Sequence, residues 1–254
     1  IEVSGYKNFS RILSYTLLYA FISVPISTLL ALLISVWLNS IKWVQKAYQT
    51  ILFLPYLTNA LAIGAVFAAM FNVIGGTNID GNIIDPTSVG LINTVLGWFG
   101  IDPVNWINVG SNIWANRFVV ILYEVWAALP FKILILFSAL QSVNKQYYQA
   151  AKIDGAGRFK TLWRVTVPLI SPMISYLVVT GFIGGFKEYT AIVGIFGTNM
   201  GPYDSEMNTM VGFIYDRIAD GRTGLASAGA LILFAIIFVF TLLNLWFSKK
   251  RVHY

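Results

Sequence analysis

The sequence predicts an all-α protein, a polytopic bundle of membrane helices forming a single domain over residues 1–254. Three observations carry that prediction. Hydrophobic residues make up 57% of the 254 positions and charged residues only 11%, where a soluble domain carries about 25% charge. Mean hydropathy is +0.71. The apolar residues gather into five long stretches, residues 12–38, 50–72, 116–140, 172–196 and 224–247, each near the ~20 residues that cross a bilayer. So little polar surface does not solvate a water-soluble globule of this size. The same deficit excludes a disordered chain, a nucleic-acid-binding basic domain and an ordinary cytosolic enzyme. Cysteine is absent and the one histidine, His253, sits beside the C-terminus. Disulfides, thiolate metal sites and histidine-based catalysis are thereby excluded.

Each stretch is expected to be helical for one reason: in hydrocarbon every backbone N–H and C=O has to find its partner within the structure. Pro25 lies in the first stretch, Pro55 in the second and Pro130 in the third, and Pro172 opens the fourth. A proline removes one backbone donor and kinks its helix. Residues 73–115, between the second and third stretches, form an extracytoplasmic or interfacial insertion. Its Trp98, Trp106 and Trp114 fit an interfacial, partly re-entrant segment and equally an ordinary outer loop. Residues 141–168 form the polar loop between the third and fourth stretches.

Orientation follows from the lysines and arginines. Lys42 and Lys46 lie between the first two stretches. Lys145, Lys152, Arg158, Lys160 and Arg164 lie between the third and fourth, and Lys249, Lys250 and Arg251 in the tail. These three segments alternate onto one side, which is the cytoplasm. Residues 73–115 carry Asp80, Asp85 and Asp102 and no basic residue, while Arg217 and Arg222 are mixed with acidic residues before the last stretch. The C-terminus is therefore expected inside and the start of the first stretch outside. Because residue 1 is an isoleucine with no signal peptide ahead of it, an earlier membrane helix or a processed start is expected to be missing.

The loop is the most informative part. Residues 148–172 read YQAAKIDGAGRFKTLWRVTVPLISP: a short helix, a glycine break, a basic segment, then re-entry at Pro168. Tyr147, Ala150, Ala151 and Asp154 fall at i, i+3, i+4 and i+7, on one helix face. The two alanines permit close approach by a partner, and Gly155 suits a helix C-terminal cap, where a positive φ is wanted. Read by physics alone, this is a membrane-surface loop with positive-inside charge beside the anionic inner leaflet.

The spacing resembles the EAA loop of ATP-binding-cassette importer permeases: E-A-A, three residues, G, nine residues, I-x-L-P. Gln149-Ala150-Ala151, Gly155 and Val165-Thr166-Val167-Pro168 keep that spacing. Asp154-Gly155-Ala156 is similar to the D-G-A of the carbohydrate branch. Three departures are conspicuous: Gln149 replaces the glutamate, which removes a charge available for a salt bridge, and Val165 and Val167 replace isoleucine and leucine. Further similar positions are Gly5, Asn8 and Phe9, Leu54-Pro55-Tyr56, Gly90-Leu91-Ile92-Asn93, Met200-Gly201-Pro202, Tyr215 and Leu225-Ala226-Ser227-Ala228. The resemblance spans nearly the whole chain and is strongest to the maltose-type subunit. It implies the type I importer permease fold, with about five of the six core helices here and the first absent.

The resemblance also implies a mechanism. A cytoplasmic ATPase dimer would receive the loop as a coupling helix, with Gln149, Ala150, Ala151, Asp154, Gly155 and Arg158 at the contact. An extracytoplasmic solute-binding protein would deliver a carbohydrate, and a related second permease subunit would complete the pore within the lipid bilayer. No cofactor would be bound by this chain; ATP and magnesium would sit on the ATPase. Gly75-Gly76-Thr77 and Gly184-Gly185 lack the Lys-Ser/Thr of a phosphate-binding loop, so the chain is expected not to hydrolyse ATP. Its location would be a bacterial or archaeal cell membrane.

Glu124, Lys132, Lys187 and Glu188 fall inside apolar stretches, where ionisable groups are expensive and mark function by default. Glu124 and Lys132 are about 12 Å apart along one helix, so each needs another partner, which Lys187 or Glu188 could supply. The readings left open are a solute path, a structural ion pair, and snorkelling to the interface. By resemblance, Glu124, Lys187, Glu188 and Tyr189 fall where relatives line the sugar site. Asn59 and Tyr56, near Pro55, are further candidates, with helix–helix hydrogen bonding as the other reading. The competing functional class is a secondary transporter or channel for a small polar solute, independent of ATP. It would call for an inverted repeat, and none is evident; a membrane-embedded enzyme would call for clustered acids or metal ligands.

Overall fold

The computed structural model describes residues 3–41, 56, 58–77, 83–198 and 207–251. Lys42, Lys46, Leu54-Pro55, Met200-Gly201-Pro202 and His253 lie outside the described residues. The elements run α1 (Val3–Ser40), α2 (Ala60–Phe71), β1 (Val73–Thr77), β2 (Ile83–Val89), α3 (Leu91–Trp98), α4 (Ile113–Ser142), α5 (Lys145–Ile153) and α6 (Arg158–Thr161). A π-helical turn (Leu162–Thr166) follows, then α7 (Val167–Leu169), α8 (Ser171–Phe186), α9 (Thr190–Phe196), α10 (Met210–Ala219) and α11 (Thr223–Arg251).

Three of the expected spans stand as single long helices: Phe9–Ser40, Ile113–Ser142 and Thr223–Trp246 are long and apolar enough to cross a membrane. Pro25 and Pro130 are carried within α1 and α4. The other two expectations need correction. Of residues 50–72, the described helix is α2, only 12 residues long. Residues 172–196 are not one helix: α8 ends at Phe186, and α9 restarts at Thr190 after a break at Lys187–Tyr189. The segment Arg158–Leu169 and α8 are bent by 70° relative to one another.

Two compact units partition the chain, and each is described by itself. The first comprises Ile1–Ser23, Thr58–Val125 and Gly184–Ala235. Here α2 crosses α9 at Gly64 and Gly194, where a β-carbon on Gly64 would stand 2.6 Å from the Gly194 Cα. Small residues at a membrane-helix crossing let the backbones touch, and dispersion between them replaces the hydrophobic drive that lipid does not supply. The insertion at 73–115 adds one two-stranded sheet to the helical chain among the described residues. β1 and β2 pair antiparallel, with register shifts around Gly75, and asparagines knit the rest. Buried Asn93 donates to the Val104 carbonyl (2.9 Å) and accepts from the Val104 N–H (3.1 Å) and the Trp106 indole N–H (3.0 Å). Asn116 donates to the Trp106 carbonyl at 2.8 Å, and Asn108 to the Val73 carbonyl. Trp98 and Trp114 are exposed, as an interfacial role requires. Trp106 instead packs edge-on to Phe71 at 5.7 Å, because its indole N–H is committed to Asn93.

The second unit comprises Val24–Leu57, Trp126–Ile183 and Ile236–Tyr254. Its core is a cluster of aliphatic and aromatic side chains from α1 (Ala31, Leu32, Leu38), α4 (Ile133, Leu136, Phe137, Leu140), Ile170 and α8 (Leu177). Ser35 ties α1 to α4 by donating to the Ile133 carbonyl at 3.2 Å. This unit carries residues 141–168, the loop expected on the cytoplasmic side.

Candidate functional site

The loop is a precisely terminated helix. Asn144 opens α5, its side chain accepting from the Gln146 N–H at 3.0 Å. At the other end the Gly155 N–H bonds the Lys152 carbonyl (3.2 Å) and the Ala156 N–H the Ala151 carbonyl (2.9 Å). That bond pair is a Schellman cap, and it needs the φ of +68° that Gly155 adopts. Gln149, Ala150, Asp154, Gly155 and Arg158 are exposed, as a contact surface requires. Ala151 is not: it is buried within the chain, so its small size serves internal packing. Ile153, by contrast, is 86% exposed. Sequence spacing missed it, since it lies off the face defined by the alanines.

The charged residues of the apolar stretches separate into two settings. Lys132, 5% exposed, belongs to the second unit. Its ammonium donates to the Ser27 hydroxyl (2.6 Å), the Thr28 hydroxyl (3.0 Å) and the Val24 carbonyl (3.4 Å). Sequence reasoning looked for its partner on the fourth stretch; these bonds come from α1. Gly181 of α8 lies against the same part of α1, since a β-carbon there would stand 2.9 Å from Val24 Cγ1. Tyr56 also falls in the second unit, stacked at 5.9 Å on Phe131.

Glu124, Lys187, Glu188, Tyr189 and Asn59 fall in the first unit. Two of them have structural work. Asn59 caps α2, accepting from the Leu61 N–H at 2.8 Å. Glu188 sits in the break between α8 and α9, its Oε1 accepting from the Tyr189 N–H (2.9 Å) and the Ala191 N–H (2.6 Å). A carboxylate at a helix N-terminus satisfies orphan donors and meets the positive end of the helix dipole. The Glu188 carbonyl in turn accepts from the Thr209 hydroxyl at 2.6 Å, tying the break to the start of α10. Lys187 is exposed, and the Tyr189 ring lies against Tyr215 at 4.8 Å.

Glu124 has different company, which sequence reasoning missed. Buried Tyr19 of α1 lies in the field of Glu124 and Glu188, and Tyr15 in that of Arg117 and Glu188. Arg117 lies over the rings of Trp114 (4.9 Å) and Tyr15 (5.5 Å), and its buried Nε has no hydrogen-bond partner, nor has the Tyr15 hydroxyl. A buried polar atom left without a partner calls for an explanation such as a ligand. Two acids, a guanidinium and two tyrosines thus converge within one unit. Tyr15 and Tyr19 stand four apart on α1, a helical spacing that marks a shared face but not which face.

Comparison with known proteins decides the class. Residues 3–253 match the family described as binding-protein-dependent transport system inner membrane component. The chain belongs to this family. Among its relatives, the arabinooligosaccharides transport system permease protein AraP of Halalkalibacterium halodurans is 29% identical over 255 residues, covering 96% of this chain and 75% of that protein. The trehalose/maltose transport system permease protein MalF of Thermococcus litoralis is 26% identical over 256 residues, covering 97% of this chain and 80% of that protein. A chain of the crystal structure of a bacterial alginate ABC transporter, in complex with alginate pentasaccharide-bound periplasmic protein, superposes with a TM-score of 0.77 at 22% identity, over 96% of this chain and 79% of that one. That likeness is one of fold, and the fold is the importer permease fold expected from the loop.

Proposed function

We propose that this chain is one of two related permease subunits of an importer for a sugar or oligosaccharide, fed by an extracytoplasmic binding protein and driven by a separate cytoplasmic ATPase. ATP and magnesium belong to the ATPase; the work of this chain is to change which side of the membrane its solute site faces. The observation that supports the reading is the Schellman-capped α5 with exposed Gln149, Ala150 and Asp154, the segment whose spacing resembles the EAA coupling loop. The carbohydrate class is supported by the named substrates of AraP and MalF. Polar groups beside aromatic rings suit such a solute: carboxylates and hydroxyls exchange hydrogen bonds with sugar hydroxyls, and tyrosine rings cover apolar sugar faces. Nucleotide-driven closure of the ATPases would displace α5. Thr166, whose hydroxyl lies 3.4 Å from that of Tyr148, and the α1–α4–α8 core behind it would carry the displacement into the membrane helices.

The test is co-purification of the ATPase with two substitutions at one position. A β-carbon at the Gly155 φ costs roughly 1–2 kcal/mol, whereas asparagine visits that region routinely. Gly155→Val is expected to lower ATPase retention tenfold or more, and Gly155→Asn to retain most of it. Equal retention by both variants, or uptake without ATP by this chain alone, overturns the reading.

A further inference from the structure

The second half of the loop is built differently from α5. Arg158–Leu169 bends 70° away from apolar α8, so if α8 spans the bilayer this segment runs close to the membrane plane. Its side chains are sorted for that position. Phe159 and Trp163 stand at i, i+4 with ring centroids 6.2 Å apart, 77% and 43% exposed. Lys160 and Arg164, both exposed, form the next i, i+4 column. Thr166 is buried, near Tyr148 of α5. No acidic residue occurs between Asp154 and Glu188, so the basic pair has no counter-charge along this stretch of chain. An aromatic column beside a basic column, on a helix turned into the surface plane, matches an interfacial helix. Indole and phenyl rings settle at headgroup depth, while lysine and arginine meet lipid phosphates.

We infer that Arg158–Leu169 is an in-plane helix that binds anionic phospholipid headgroups of the cytoplasmic leaflet, Lys160 and Arg164 on the phosphates and Phe159 and Trp163 at the acyl boundary. The inference rests on the cytoplasmic placement of the loop. It divides the loop between two partners, α5 facing protein and the following segment facing lipid. Anchored in this way, the start of α8 becomes a fixed point about which displacement of α5 turns.

The full chain, purified with its partner subunits, tests this in nanodiscs containing a photoactivatable phosphatidylglycerol or a photoactivatable phosphatidylcholine. Labelling of residues 158–169, read by mass spectrometry, is expected to favour phosphatidylglycerol at least about fivefold, a preference that added salt narrows. The double variant K160Q/R164Q should lose that preference while keeping the ATPase bound in detergent. Equal labelling by both lipids, a preference unmoved by salt, or one retained in K160Q/R164Q overturns the inference. So does loss of the ATPase from K160Q/R164Q, which would assign the basic pair to the protein interface. Failure of the importer reading shows separately: the unsubstituted chain then retains no ATPase, whatever the lipid labelling.

Discussion

Glu124 and Glu188 both fall in apolar stretches, and their neighbours separate them. Glu188 spends one carboxylate oxygen on the N–H groups that open α9. Glu188→Gln keeps an acceptor oxygen there, while Glu188→Ala removes the cap and should cost about 1 kcal/mol, read as a lower melting temperature of the purified protein. Glu124 lies beside Tyr19, with Tyr15 and Arg117 nearby, where a carboxylate can accept from a solute. Glu124→Gln and Tyr19→Phe are each expected to lower uptake of labelled oligosaccharide about tenfold at unchanged expression, the equivalent of one lost polar contact. Normal uptake in Glu124→Gln would remove this residue from the path.

Among the elements, α1 and α4 are joined by a charge rather than by apolar packing alone. Lys132 is buried and bonded to the hydroxyls of Ser27 and Thr28. Those hydroxyls also donate to the Val24 carbonyl, at 3.1 and 2.7 Å, so they keep a partner when the lysine is gone. Removing the partners of a buried charge costs more than removing the charge itself. Lys132→Met should therefore be nearly neutral in thermal stability, and Ser27→Ala/Thr28→Ala should destabilise by about 3 kcal/mol. The reverse order in a melting series would show that the hydroxyls are not what holds the ammonium. The break at Lys187–Tyr189 belongs to this scale too. Residues 172–196 read as one apolar run; the structure breaks that run because Glu188 captures N–H groups that a continuous helix would commit to carbonyls one turn earlier.

Over the whole molecule, the basic residues set the orientation. Five of them lie between residues 145 and 164, while 73–115 has none, so the capped helix is expected inside and residues 73–115 outside. Alkaline phosphatase fused after Tyr254 should be inactive, and the same reporter inserted at the exposed turn of Gly100 should be active; the opposite pattern would invert the assignment. Glu124, Glu188, Tyr15 and Tyr19 fall in the first unit, and residues 145–169 with the aliphatic cluster behind them in the second.

What was legible without coordinates follows from terms local in the chain. Hydrocarbon forces apolar runs into helices and a left-handed glycine after a short helix announces its cap, so three spans and the end of α5 could be read from residue order. Tertiary structure alone decided what depends on neighbours distant in sequence. It buried Ala151 and exposed Ile153, gave Lys132 its hydroxyls on α1, and turned Glu188 and Asn59 into helix caps. It also brought Tyr15 and Tyr19 of α1 to the acids of α4 and of the α8–α9 break. The physical reason is the same in each case: composition sets whether a group tolerates lipid, but which polar groups meet depends on how helices far apart in the chain rotate and cross.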